Sequence, residues 1–270
     1  MQNPYKVSDE MWEVIKPYIP VRENHHPRGR GRPRVDDRKV FDAILFVAKT
    51  GCQWNALNAT GICSSSTAHL RFQQWTRAGF FQKLWEVGLL AYDDKVGIGW
   101  KWQSMDGTMT KSPLGGEKTG RNPTDRGKAG VKRSMLTDQN GIPLGFVMDG
   151  ANRHDVKLAR ATLESIPIAR PEIKAYHRQH LCLDAGYVGD DIKDLAAEFG
   201  YTLHVRSRGE EAQDIKRKTG QKARRWVVER THSWLNRFRR ILIRWEKKPM
   251  NYIAMVHLAC AFITLGKLIT

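Results

Sequence analysis

The chain has 270 residues, of which 45 are Lys or Arg and 28 are Asp or Glu, so its formal net charge is +17. A hydrophobic fraction of 41% with nine tryptophans excludes a disordered chain and suffices for a buried core. So large a basic excess indicates a polyanionic partner, and nucleic acid is favoured over an acidic membrane surface. The four cysteines lie far apart without a C-x-x-C pair, which argues against a zinc finger or a disulfide framework.

The first 95 residues have the pattern of an all-helical domain. Capping residues and apolar residues at helical spacing predict helices over residues 8–20, 36–51, 64–79 and 80–92. The helix over 64–79 is interpreted as the recognition helix of a helix-turn-helix-like domain, with Arg71, Gln74 and Arg77 exposed towards DNA. Between the first two helices, residues 22–34 contain no large apolar side chain, and we predict an exposed basic linker there.

The pattern changes after residue 95, and residues 96–270 are predicted to form a mixed α/β domain. A strand with alternating polarity covers WKWQSMDGTMT, and Asn140-Gly141 predicts the turn of a β-hairpin. Helices and strands then alternate, with one apolar strand ending at Asp184. Two helices are predicted at the end, over residues 221–246 and 250–269. This order is typical of an antiparallel hairpin beside parallel crossovers.

One apolar run, residues 252–266, is similar in composition to a membrane span. It is shorter than the ~20 apolar residues that a span needs and contains His257, so we predict a buried helix. The opening residues MQNPYKVSDEMW contain no apolar stretch of a secretory signal. We therefore expect a soluble cytoplasmic protein without a membrane partner.

The basic charge is concentrated in two regions. Residues 216–248 contain thirteen basic and two acidic residues, a net charge of +11, and residues 21–40 contain seven and three, a net charge of +4. A generally solvated basic surface would not concentrate charge in this way. Two such regions predict two contacts with one long polyanion.

Three acids occupy positions that suit a metal site. Asp106 and Asp184 lie towards the carboxyl ends of predicted strands, where open α/β sheets place ligands. Glu229 lies on a predicted helix amid six arginines of the stretch RRWVVERTHSWLNRFRR. Each aspartate could equally cap a turn. Together the three carboxylates would repel each other unless a hard cation such as Mg²⁺ or Mn²⁺ neutralised them, and a pair of such ions can support attack on a phosphodiester.

Several motifs resemble bacterial insertion-sequence transposases of the DDE type, in the family-five group. The resemblance runs nearly end to end and is carried by GRPRVDDRKVFDAILFVAKTGCQW, SSSTAHLRFQQWTRAGFFQKLW, MDGTMTK, DRGKAGVKRSMLTDQNGIPLGFVMDGANRHD, LCLDAGYVG and RRWVVERTHSWLNRFRRILIRWEK. It implies an RNase H-like catalytic domain with Asp106, Asp184 and Glu229 as catalytic, metal-binding residues. It also implies two Mg²⁺ ions per active site, for which Mn²⁺ would substitute.

The resemblance further implies cleavage at transposon ends and strand transfer into target DNA. The expected partners are double-stranded DNA, as terminal inverted repeats and target, and further copies of the chain in a dimer or larger assembly at the bacterial nucleoid. One departure concerns the Y-x-x-R-x-x-x-E-x-x-x-x-x-x-K pattern of related transposases. Arg225 and Glu229 fit it, whereas Lys222 replaces the tyrosine and Asn236 the lysine. Arg237 or Arg240 could substitute for that lysine.

Other basic residues are candidates for contacts with DNA phosphates. In PRGRGRPR, a minor-groove hook and a flexible linker are equally compatible with the composition. After the first aspartate, Lys111, Lys118, Arg121 and Arg133 are further candidates. The residues that we predict to bind DNA are Arg28, Arg30, Arg32, Arg34, Arg71, Arg77, Arg126, Lys128, Lys132, Arg225, Arg237 and Arg240.

Two other functions are compatible with the same residues. An RNase H-like nuclease would cut structured DNA without joining strands, and a strand-transfer assay with pre-cut ends separates it from a transposase. A non-catalytic DNA-binding regulator derived from a transposase would bind DNA without cutting it under any divalent metal. The presence of all three acids argues against that regulator.

Overall fold

The computed structural model describes residues 3–21, 34–173, 178–206 and 226–268. Capping side chains set the start of the first helices, as the sequence predicts. Ser8, Asp36 and Ser64 each accept a hydrogen bond from a backbone N–H of the following turn. The helices are α1 Asp9–Ile15, α2 Asp37–Thr50, α3 Ser65–Arg77 and α4 Phe80–Lys95. Residues 51–64, which include a 3₁₀ turn, connect α2 to α3, so the connection is longer than the tight turn of a helix-turn-helix.

Aromatic side chains form the centre of this helical region. Phe41 of α2 lies 6.3 Å from Trp75 and 6.3 Å from Phe80, measured between ring centroids. It also stacks at 6.1 Å on Phe262, which belongs to the last helix of the chain. The helical region therefore shares one hydrophobic core with the C-terminal part, and the boundary predicted near residue 95 stays a prediction.

The sheet contains antiparallel and parallel pairings. Its strands are β1 Trp102–Lys111, β2 Gly120–Arg121, β3 Ala129–Thr137, β4 Pro143–Gly150, β5 Gln179–Asp184 and β6 Tyr201–Arg206. β3 is antiparallel to β1 and β4, and short β2 pairs with its first residues. β5 is parallel to β1 and β6. The strand order β4-β3-β1-β5-β6 confirms the RNase H-like class of sheet that the resemblance implies.

Helices cover both faces of the sheet. On one face lie α5 Asp155–Glu164, whose Thr162 hydroxyl donates to Ser134 at 2.7 Å, and α6 Asp190–Glu198. α7 Trp226–Leu235 and α8 Pro249–Gly266 lie on the other face. Because neighbouring strand residues point to opposite faces, each strand contributes one set of side chains to each helical layer.

The predicted helix over 221–246 is wrong in its second half. α7 ends at Leu235, a 3₁₀ turn follows at Arg239–Ile241, and Ile243 forms a parallel bridge with Lys111. Arg244 is fully buried and donates to three backbone carbonyls, those of Glu246, Lys247 and Lys118. A continuous helix could not present Arg244 to these acceptors, so tertiary contacts override the helical pattern here. Residues 221–225 lie outside the described part.

The last helix is buried, as predicted. By length and mean hydropathy, 1.4, α8 could also cross a membrane. It instead packs along α4 and against β4, with Tyr252, Met255, Val256 and Leu258 inaccessible to solvent. A core helix of a globular protein has the same composition.

Candidate active site

Asp106 lies in the middle of β1, on the sheet face that α7 covers. One carboxylate oxygen accepts the N–H of Gly107 at 2.8 Å. Burial raises the pKa of Asp106 to about 6, the Gly107 hydrogen bond opposes this, and the charges of Asp184, Asp155 and Glu229 raise it further. Four carboxylates therefore influence one another around the centre of the sheet.

Asp184 is the last residue of β5, the parallel neighbour of β1. The register pairs Ser104 with Cys182, so Asp106 and Asp184 project from adjacent strands on the same face. The Asp184 carboxylate accepts the N–H of Gly186 at 2.8 Å and caps a short 3₁₀ turn. The turn-capping interpretation is thus confirmed, and it leaves the second carboxylate oxygen for another ligand.

Glu229 is exposed in the first turn of α7, the helix that crosses β1 and β3. Its predicted neighbour Arg225 lies outside the described residues. Within the described ranges, no three Asp, Glu, His or Cys side chains are close enough together to hold one metal ion. The three acids consequently face one region of the sheet without forming a closed set of ligands.

The donor set nevertheless fits a hard divalent cation. All three candidates are carboxylates, which Mg²⁺ and Mn²⁺ prefer over nitrogen or sulfur ligands. Their charges raise the pKa of Asp106, which means that they repel each other as they stand. A cation between them would replace this repulsion by attraction.

A second polar group lies on the opposite face, directly behind Asp106. Asp155, the first residue of α5, pairs with Lys132 of β3 at 2.8 Å and approaches Gly107. The residue before Asp155, His154, occupies the cap position of α5 without a side-chain capping bond. Because side chains alternate along a strand, the sequence of β3 indicates that Lys132 and Arg133 point to opposite faces. It does not indicate which residues they contact there.

Arg133 lies beside Asn236, the residue that stands where related transposases have a lysine. It is buried on the face of Asp106, and its Nη2 donates to Oδ1 of Asn236 over 3.5 Å. Its Nε and Nη1 make no hydrogen bond of good geometry within the part of the chain that the structure describes. Beside it, burial and then the charge of Arg133 lower the pKa of His232 to about 3, so that imidazole stays neutral. A cation from β3 thus reaches the position where related sequences have lysine.

Three predicted DNA contacts are buried in ion pairs, and for Arg71 the predicted exposure is wrong. Arg71 turns inward to pair with Asp37 of α2, and Arg240 pairs with Glu246 at 2.7 Å. Lys132 is paired with Asp155, as described above. Each is less than one tenth exposed, because tertiary packing supplied an acidic partner that sequence patterns do not reveal. In this conformation none of them can contact a phosphate.

The other predicted contacts divide into two groups. Those exposed on the surface remain predictions and are Arg34, Arg77, Arg126, Lys128 and Arg237. The remainder lie outside the described residues and are Arg28, Arg30, Arg32 and Arg225. Gln74, on the predicted recognition helix, is half-buried.

An acidic centre on a mixed sheet beside basic surfaces is typical of metal-dependent enzymes that act on phosphodiesters. Two family models match the chain: "Putative transposase of IS4/5 family" over residues 7–85 and "Transposase DDE domain" over residues 103–263. The chain therefore belongs to the DDE transposases of the IS4/5 family. The predicted family, enzyme class and function are confirmed, namely DNA cleavage and strand transfer in transposition.

Two relatives agree with this assignment in sequence. The chain is 38% identical over 156 residues to "Putative transposase for insertion sequence element IS402" of Burkholderia cepacia, covering 55% of this chain and 69% of the relative. It is 30% identical over 118 residues to an IS402 "uncharacterized 16.2 kDa protein" from the same organism, covering 43% and 80%. A solved structure of the Mos1 transposase catalytic domain with raltegravir and Mg resembles it weakly, with 12% identity, a TM-score of 0.31, and coverage of 69% and 92%.

Proposed function

We propose that Asp106, Asp184 and Glu229 form the catalytic centre of this transposase and together hold two Mg²⁺ ions, or Mn²⁺ in their place. The proposal is supported above all by the coupling of these carboxylates around Asp106, whose pKa rises to about 6 by burial and by their charges. When bound, such ions activate a water molecule and stabilise the leaving oxygen at phosphorus. Glu229 contributes from α7, and its exposed position allows it to approach the strands when the ions bind.

The reaction that follows needs only the chain, the ions and DNA. Water attacks the phosphodiester at each transposon end and releases a 3′-hydroxyl. That hydroxyl then attacks a phosphodiester of the target in line, so one phosphate ester replaces another without ATP. Asp106 and Asp184 would hold the ions, and through them the reacting phosphate, in place relative to β1 and β5, because both side chains start from the rigid sheet.

The exposed basic residues position the DNA. Arg77 extends from the end of α3, and Arg126 and Lys128 from the loop between β2 and β3. Contacts to phosphates from both sites would hold terminal inverted repeats and target DNA across the centre. Two ends must be joined, so we expect a dimer or larger homo-oligomer on DNA, at the nucleoid in the bacterial cytoplasm.

Cleavage and joining of oligonucleotides that carry the element's own ends test the centre. Asp184→Asn keeps an oxygen to accept the Gly186 N–H, so the turn survives while the charge is lost. We expect Mg²⁺-dependent cleavage to fall by more than about 10³-fold. The matched control is Asp190→Asn, an exposed acid that begins α6 and pairs with Lys193. Normal cleavage by Asp184→Asn would remove Asp184 from the centre, and hydrolysis of pre-cut ends without joining by the native chain would indicate a nuclease.

A further inference from the structure

Two polar side chains from separate elements meet behind β1, at Gly107, and a third comes from the turn beside them. Lys132 of β3 donates its ammonium to Oδ2 of Asp155, and the Lys132 side chain is only 5% exposed. Oδ1 of Asp155 points at Gly107, where a Cβ would lie 2.1 Å from it. Gly107 therefore leaves the space that Asp155 occupies, directly after Asp106 in the chain.

The third side chain is Tyr187, from the turn that Asp184 caps. Its ring is completely buried, and its hydroxyl makes no hydrogen bond of good geometry among the described residues, although the Ser134 hydroxyl of β3 lies near enough to interact with it. Burial, and next the charge of Asp155, raise the pKa of this hydroxyl well above its usual range, so it keeps its proton and can only donate or accept as O–H. It is a buried donor in need of an acceptor.

Asp155 offers the complementary atom. Its Oδ1 is also buried and has no hydrogen-bond partner among the described residues. Both atoms lack a partner within the described ranges, so they do not bond each other directly in this structure. Unpaired buried donors and acceptors are rare in folded proteins, and one enclosed water between the two would satisfy both. After burial, the charge of Asp155 is the largest influence on the pKa of Tyr187.

We propose that Asp155 is a positioning residue of the catalytic centre. One of its carboxylate oxygens binds Lys132, and the other binds the Tyr187 hydroxyl by way of an enclosed water. This inference rests on the proposed triad. Tyr187 and Asp184 belong to one short turn, in which Asp184 accepts the Gly186 N–H. Anchoring Tyr187 to α5 and β3 therefore fixes where Asp184 stands relative to Asp106 on β1.

A purely structural role of the Lys132–Asp155 ion pair predicts a different experimental result. Loss of structural support lowers thermal stability and leaves metal affinity of the folded protein unchanged. Loss of a positioning contact lowers metal affinity, since supporting groups around metal ligands typically contribute about 10–100-fold. Binding of Mn²⁺ to the full chain, measured by electron paramagnetic resonance without DNA, separates the two roles.

The experiment compares Tyr187→Phe, Asp155→Asn and the double variant with the native chain. Tyr187→Phe removes one oxygen from a filled core site, so it folds even where Asp155→Asn is weakened by an unpaired Lys132. We expect each single variant to bind Mn²⁺ about tenfold more weakly or worse, and the double variant to match the weaker single one. The control is Arg160→Gln, which removes an exposed ion pair with Glu198 from the same helix and should bind Mn²⁺ normally.

The outcomes separate this inference from the proposed centre. Native Mn²⁺ affinity in Tyr187→Phe and Asp155→Asn overturns the positioning role, as does a double variant whose loss is the product of the two single losses. If Asp184→Asn loses Mn²⁺ binding in the same assay, the triad stands in either case. If Asp184→Asn binds Mn²⁺ like the native chain, the proposed centre itself is wrong.

Discussion

Arg240 and Glu246 form a buried ion pair in the segment after α7. Nε of Arg240 donates to Oε1 of Glu246 at 2.7 Å, and the side chains are only 9% and 7% exposed. Nη1 of Arg240 also donates to the carbonyl of Cys52, just beyond α2. The pair thus joins the C-terminal segment to the helical region, and Arg240 contributes to the fold.

Arg240→Leu should therefore lower the free energy of unfolding by about 3–5 kcal/mol, because it leaves the Glu246 carboxylate buried without a partner. Arg240→Leu/Glu246→Leu should recover most of that loss. Denaturant unfolding measures both. Arg237→Ala, which removes an exposed arginine three residues earlier, should change stability by less than about 0.5 kcal/mol. A native-like Arg240→Leu would contradict the structural role.

For the exposed Arg77 we expect the opposite result, an effect on DNA binding with little effect on stability. If it contacts a phosphate, Arg77→Gln should weaken DNA binding and reduce the slope of log affinity against log salt by about 0.9, with little effect on unfolding. Fluorescence anisotropy at several salt concentrations measures the slope. Lys83→Gln is the control, since Lys83 is engaged by Glu86 on α4. An unchanged slope in Arg77→Gln would show that the end of α3 does not touch the backbone.

Local signals in the sequence predicted the elements well. Asp36 and Gly51 bound α2 as predicted, one by a side-chain cap and the other by its left-handed φ of 72°. Asp184 lies at the predicted strand end, and the hairpin around Asn140-Gly141 is present, with Asp138 accepting the N–H groups of Asn140 and Ile142. These features depend on neighbouring residues, which a sequence displays directly.

The partners of charged residues could not be predicted from such local signals. Arg71 of α3 forms an ion pair with Asp37 of α2, and Lys132 of β3 forms one with Asp155 of α5. From the sequence both resemble exposed DNA contacts, because the partner that neutralises each lies 34 or 23 positions away. For the same reason the sequence did not reveal that Tyr187 and Asp155 lie near each other behind the candidate centre, because this depends on how separate elements pack.

His257 should make the stability of the protein depend on pH. It packs against Trp85 at 5.3 Å between ring centroids, and burial lowers its pKa to about 4, against ~6.5 in an unfolded chain. Between these values the unfolded state binds more protons, so the contribution is complete above pH ~6.5 and is lost as the pH falls towards 4. The loss is at most about 3 kcal/mol, and less if water entering the adjoining surface cavity, lined by Thr76 and Met250, solvates the ring.

Unfolding free energies measured between pH 7 and pH 4.5 test this contribution. His257→Phe keeps a ring beside Trp85 and has no proton to gain, so its stability should fall less over that range than that of the native chain. His154→Phe is the control, because His154 is exposed at the start of α5 and should leave the pH dependence unchanged. Equal slopes for His257→Phe and the native chain would contradict the assignment.

Gly107 is the position where the two faces of β1 are tied together. In Gly107→Ala, the new Cβ would lie 2.1 Å from Oδ1 of Asp155 and 3.4 Å from Cδ of Lys132, so the buried pair must move. We expect a loss of about 1–3 kcal/mol in unfolding free energy from overpacking, together with weaker Mn²⁺ binding because Asp106 is the preceding residue. Gly266→Ala, on α8 with no atom near its added Cβ, is the control and should be neutral or slightly stabilising. A Gly107→Ala protein with native stability and native Mn²⁺ affinity would show that Asp155 yields freely and that its contact with β1 positions nothing.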